Sequence, residues 1–172
     1  MKLEQLKPGS HVERAERFTI ADAISNVPAI NDPDNVSDIV FSVGFNDSRR
    51  GVSPKKICED TMLMQIAYYK KFKNARQHLS AFIPLSDQQI EANDMLQKHA
   101  LNTGCNFISM KNFRDRFTGC LRQNLVKGIH FQEIGLRTHA KAIKKSLFSP
   151  SNLANETLSE FMLLATATYE DA

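Results

Sequence analysis

The chain has 172 residues, of which 42% are hydrophobic and 24% charged, with a net charge of +3. That balance fits one soluble globular domain, long enough to bury a core. It excludes a membrane-spanning chain, since no apolar run approaches the roughly 18 residues that cross a bilayer; MKLEQLKPGS lacks the apolar stretch of a secretory leader, so a cytoplasmic location is expected.

In chain order, residues 19–27 (TIADAISNV) read as a short helix, and NDPDN at 31–35 is a turn by its Asn, Asp and Pro chemistry. SDIVFSV (37–43) is short, mostly apolar and β-branched, as expected of a strand buried on both faces of a parallel sheet. GFNDSRRGV (44–52) reads as a glycine-bounded polar loop. Ser53-Pro54 then supplies an N-cap and a first-turn proline. Ile57, Thr61, Met64 and Tyr68 follow at helical spacing, which predicts a helix over 54–73 with Asn74 at its end.

QHLSAFI (77–83) is a second predicted strand. Ser86 and Gln89 have the spacing of a capping box, opening a helix to about 102 with Ala92, Leu96 and Ala100 on its apolar face. Asn102 and Gly104 stop it, and CNFISM (105–110) is a third strand. A polar, basic connection runs to Gly128. Leu136, Ala140, Ile143 and Leu147 then predict a helix over 132–147 that ends before Pro150. A last amphipathic helix is expected over 156–168, within a C-terminal tail (151–172) that follows the domain at 1–150. Strands alternating with helices predict an α/β domain with a parallel sheet.

The charge is unevenly spread. Segment 111–145 carries nine Lys and Arg residues against Asp115 and Glu133, whereas 146–172 carries four acids and no base. A basic stretch of this kind is either a solvated helix face or a surface for an anionic partner such as nucleic acid. The three cysteines, Cys58, Cys105 and Cys120, are odd in number and have no metal-ligand spacing, so reduced, small buried side chains are expected and no metal or cofactor.

In open parallel sheets, ligands bind beyond the carboxyl ends of the strands. GFND (44–47) falls there, directly after the first predicted strand, and Asn46 offers an amide that can stabilise an oxyanion. His130, in LVKGIHFQEIG, stands at the mouth of the last predicted helix and would face the same rim as a general base. Each has an ordinary alternative: turn chemistry for the asparagine, and an exposed loop histidine.

Together these blocks resemble the SGNH (GDSL-type) hydrolases, a family of esterases and lipases. GFND matches the family's G-x-N-D block, and KGIHFQEIGLRTHAKAI resembles its last block, D-G-x-H followed by glycine and a helix. PGS (8–10) resembles the segment with the second-block glycine, so the resemblance covers roughly residues 5–148. VGFNDSRRGVSPKKI and RDRFTGCLRQNLVKGIHF also look like the SGNH-type esterase domains carried in open reading frames of some animal retroelements. The resemblance implies a three-layer α/β/α sandwich with flavodoxin-like layering and a short parallel sheet. It implies serine acyl transfer on a small ester, with no cofactor: Asn46 and, by its backbone N–H, Gly9 would form the oxyanion hole and His130 would be the general base.

Two positions depart from the family's pattern. No G-D-S block occurs, and only eight residues precede Gly9. The first strand and its nucleophile are therefore expected to be missing, as in a truncated copy, an isoform or a partner-dependent module; Ser10 and Ser48 lie nearby but off the expected strand-to-helix turn. The aspartate that orients the histidine is Lys127 here, a like charge that lowers the basicity of His130, unless Asp115 or Asp47 substitutes. The expectation is therefore an inactive, degenerate esterase domain, with the alternative of a non-catalytic binding module whose basic side holds an anionic partner.

Overall fold

The structure is a computed structural model. It describes residues 18–27, 32–110, 125–126, 130–131 and 133–148, of which 125–126, 130–131 and 133–136 by their backbone. Its elements are α1 (Ile20–Ser25), β1 (Asp38–Phe41), α2 (Phe45–Arg49), α3 (Pro54–Lys71), β2 (Arg76–Ser80), α4 (Asp87–Thr103), β3 (Asn106–Ile108), β4 (Leu125–Val126), β5 (His130–Phe131) and α5 (Glu133–Leu147), with a 3-10 turn at Pro33–Asn35. The chain is mixed α/β. β1, β2 and β3 form a parallel sheet in that order, and β4 pairs antiparallel with β5. The expected parallel sheet is therefore present, and each of its strands is shorter than the apolar run that predicted it.

Local chemistry explains where the helices begin and end. Thr19 closes a full capping box on α1: its hydroxyl accepts from Asp22 N–H, while the Asp22 carboxylate accepts from Thr19 N–H at 2.8 Å. Ser53 caps α3 with Pro54 behind it, and the helix stops at Phe72, two residues before the expected Asn74. Ser86 caps α4, but the box is not reciprocal. Gln89 Oε1 accepts from Leu85 N–H at 2.7 Å instead of from Ser86 N–H. Gly104, at φ 67°, ends α4 in the left-handed conformation that glycine adopts without strain.

Alternation along β2 sends Gln77 and Leu79 to one face and Arg76, His78 and Ser80 to the other. On the first face Leu79 and Phe41 join a core with Ile57, Met64, Tyr68 and Phe72 of α3 and Ala92, Leu96 and Ala100 of α4. Phe41 meets the Tyr68 ring edge-on, centroids 4.9 Å apart. Cys105 is buried in this cluster, and burial pushes its thiol up to about 12; Cys58 is half-buried.

On the second face α5 approaches. Its Ala140 and Ile143 are buried, as is Ile108 of β3, and Ser146 reaches the His78 imidazole at 2.8 Å.

Two expectations change. Residues 45–49 are helix rather than loop, because left-handed Gly44 turns the chain straight into α2. The basic connection before Gly128 contains β4, paired with β5, since apolar Leu125 and Val126 find partners in Phe131 and His130. Among the described residues β1 pairs with β2 alone, and none is in a helix long and apolar enough to cross a membrane. The helix expected at 156–168, Pro150, Cys120 and Asp115 lie outside the described residues.

The core makes a direct prediction. Met64 is fully buried between α3 and the sheet, so Met64→Ala should cost about 3 kcal/mol of stability, read as a lower urea midpoint at unchanged slope.

Candidate functional site

The carboxyl end of β1 opens onto Val43 and then Gly44, whose φ of 100° and ψ of −17° suit glycine alone. Space imposes the same choice: a Cβ on Gly44 would lie 3.2 Å from the Phe82 ring and 3.6 Å from Ile57 Cγ2. Phe82, just beyond β2, is itself held from both sides of its peptide. Its N–H donates to Asn93 Oδ1 at 3.1 Å and its carbonyl accepts from Asn93 Nδ2 at 2.8 Å. Phe45 packs edge-on against the same ring, with centroids 6.5 Å apart. The rim of the sheet is thus a rigid turn braced by an aromatic plate.

Asn46 and Asp47 then fasten α2 to the segment that opens α1. Asn46 Nδ2 donates to the Phe18 carbonyl at 2.8 Å. The Asp47 carboxylate accepts from Ile20 N–H, with its two oxygens 3.4 and 3.2 Å away. Asp47 is buried, and this desolvation raises its carboxyl above the ordinary range; the N–H bonds from Ile20 and its own backbone oppose the rise. An amide carries two donors, so the bond to Phe18 takes one of Asn46's two and leaves the half-buried side chain fixed in direction.

The remaining sequence candidates divide clearly. Ser48 is 7% exposed, inside α2, with its N–H given to the Gly44 carbonyl at 3.0 Å, so it lacks the exposed strand-to-helix elbow a nucleophile needs. Asp47 is committed to the α1 backbone rather than to an imidazole. His130 begins β5 with Val126 as its register partner, three residues before Glu133 opens α5. Gly9, Ser10 and Lys127 lie outside the described residues, as does the His130 side chain. Among the described residues no group of three His, Cys, Asp or Glu side chains could hold a metal ion.

Two participants were missed from sequence. Phe82 and Asn93 brace the turn, and the only available signal was weak: an asparagine one turn into an otherwise ordinary helix. The other was a polar cluster at the opposite, amino-terminal rim. His78 was hidden within an apolar-looking run, yet its Nε2 lies 3.0 Å from Asp38 Oδ1 and its Nδ1 2.8 Å from Ser146 Oγ.

No family model, no curated protein and no solved structure matches the chain.

Gly44→Ala tests the turn. The left-handed conformation and the ring contact together should cost about 2 kcal/mol. Phe82→Leu in the same chain should recover only the part due to the ring contact, which urea unfolding of the single and double variants will separate.

Proposed function

We propose that the chain is an SGNH-type ester-hydrolase domain in degenerate form. Asn46 acts as the oxyanion donor and His130 as the general base; the second-block glycine, Gly9, is assigned from the sequence resemblance. The observation that carries this reading is the Gly44–Asn46 turn. It lies immediately beyond the carboxyl end of a parallel strand, where ligands of such sheets bind, and it aims a fixed amide. The order of elements supports it: α3, β2, α4 and β3, the two helices and two strands expected of the family, lie between the G-x-N-D and G-x-H blocks, with the two-residue β4 added just before the second. So does the placing of α3 and α4 against one sheet face and α5 against the other, which suits the flavodoxin-like, three-layer α/β/α sandwich expected of the family.

In the full reaction a serine hydroxyl gives its proton to the histidine as it attacks the ester carbonyl. The oxyanion collapses to an acyl-enzyme and expels the alcohol, which takes the proton back from the histidine; water, deprotonated by the same histidine, then attacks, releasing the acid and restoring the serine. Of these parts the chain holds the oxyanion turn and the base. Ser48 is buried within α2, away from the strand-to-helix turn a nucleophile needs, Ser10 has no such turn before it in the sequence, and Lys127 stands where the family has its orienting aspartate. With neither serine as nucleophile, His130 would take a proton from water directly, so the most the chain should show is weak turnover of short p-nitrophenyl acyl esters that falls to the buffer rate in His130→Ala and in Asn46→Ala. Turnover equal to buffer in all three proteins removes the enzymatic reading.

A binding module is the second reading, and one observation favours it. Arg137, Lys141, Lys144 and Lys145 are exposed along α5, opposite its buried face, and the Lys144 ammonium stands 6.0 Å over the 69% exposed Phe148 ring. A basic stripe beside an aromatic plate suits a phosphate backbone with a stacked base. Retention on single-stranded nucleic acid should fall steeply with salt and drop by more than tenfold when Lys141, Lys144 and Lys145 become Ala. Retention unchanged by the triple substitution rejects it.

A further inference from the structure

The amino-terminal rim of the sheet holds a buried polar cluster with no part in the ester site. Asp38 opens β1 and Arg76 opens β2, paired in register. Arg76 Nη2 lies 2.7 Å from Asp38 Oδ1 and also donates to the Leu147 carbonyl at 2.9 Å, closing the last turn of α5. His78, with no exposed surface, bridges Asp38 and Ser146. Asp38 Oδ2 accepts in addition from Ser37 Oγ at 2.8 Å.

The trio Asp38, His78 and Ser146 has the residue types of a nucleophilic triad, but its placing is structural. It lies at the rim opposite the ligand-binding end of the strands. The imidazole is sealed, and Arg76 is spent on a helix carbonyl rather than left for a developing charge. What the cluster does is fasten α5 to the sheet. With Asp38 ionised, Nε2 of His78 donates to it and Nδ1 of the neutral ring accepts from the Ser146 hydroxyl, so both nitrogens are satisfied without a charge on the ring.

A second imidazole lies on the same helix face. His139, Ile143 and Ser146 stand at i, i+4 and i+7, and His139 is 5% exposed. We propose that α5 is held by a proton-sensitive latch: His78 and His139 are buried as neutral rings at one helix–sheet interface, and acidification releases the helix from the sheet.

The charges around each ring set the direction. His78 faces Asp38 from β1, which favours its cation, and Arg76 from β2, which opposes it; its β3 register partner Asn106 and Ser146 of α5 are uncharged. Burial outweighs these and lowers His78. Burial also pulls the His139 imidazole down, to about 4 from its ordinary 6.5. Asp38, held low by His78, Ser37 and Arg76 against the rise that burial imposes, stays ionised through the same range. Both folded-state values therefore lie below the value of an exposed ring. Docking is fully favourable above about pH 6.5 and weakens as the pH falls, because the undocked helix takes up protons that the docked one cannot. For His139 the docking equilibrium should shift about tenfold per pH unit, or about 300-fold over the interval from 6.5 to about 4. Release would uncover Ile108, Ala140 and Ile143 and free the helix that follows His130; the latch itself does not depend on the ester-hydrolase reading.

Hydrogen exchange of the intact chain tests this peptide by peptide between pH 7.5 and 4.5, after correction for the intrinsic pH dependence. Protection of residues 137–147 should fall at least tenfold per unit below pH 6.5 while α3 and α4 peptides keep theirs. His139→Gln should reduce that slope, and His78→Asn should loosen α5 already at pH 7.5. If either variant fails to fold, the contrast between α5 and α3 in the unsubstituted chain still decides. Equal pH response in all three helices overturns the latch, as does a slope unchanged in a folded His139→Gln chain. Labelling of Ser146 by a fluorophosphonate would also overturn it, by showing a reactive hydroxyl where the latch needs a bonded one.

Discussion

The His78 imidazole lies in the middle strand of a parallel sheet with no contact with water, and both of its nitrogens must be answered from within the protein. Asp38 answers one from the neighbouring strand and Ser146 the other from a helix 68 residues away in sequence. That requirement sets the register of β1 on β2 and the depth at which α5 lies. It also distinguishes the two faces: α5 adds to its buried Ala140 and Ile143 a set of hydrogen bonds and a guanidinium at the sheet rim. A displaced α5 would leave a buried ring and a carboxylate short of partners, which costs more than the bonds contribute while intact.

Polar side chains also cross the apolar face. Gln77 Nε2 donates to the Gln65 carbonyl at 3.1 Å, and Gln65 Oε1 lies 2.6 Å from His99 Nε2. Cys105 Sγ is 3.0 Å from the Gln77 carbonyl. A polar thread therefore runs through the core between α3, β2 and α4, tying each element to a single position where apolar packing alone would tolerate sliding.

Much of this architecture was legible in the sequence because it rests on local rules. Ser53-Pro54, Ser86 and Gly104 act through hydrogen bonds and backbone angles within a few residues, so α3 and α4 begin and α4 ends where those residues stand. The Gly44 turn was legible as a place but not as a shape: glycine at a strand end signals close approach, whereas a five-residue helix after it depends on Phe82 and on the bonds from residues 46 and 47 to 18 and 20. The His78 cluster was not legible at all. QHLSAFI looks like a strand whichever face its histidine takes, and only the pairing of β1 with β2 and the docking of α5 bring Asp38, Arg76 and Ser146 to it.

Cys105 joins that core just before β3, and its thiol is doubly suppressed: it is sealed from reagents and its ionisation is pushed up to about 12 by burial. Only a thiolate reacts at speed. An alkylating reagent can therefore modify this sulfur at neutral pH solely in molecules whose α3–α4 layer has opened. Half-buried Cys58 on α3 is the natural comparison within the same helix layer. The relative labelling of the two sulfurs turns the chain into its own clock for opening of the core, with no probe to attach.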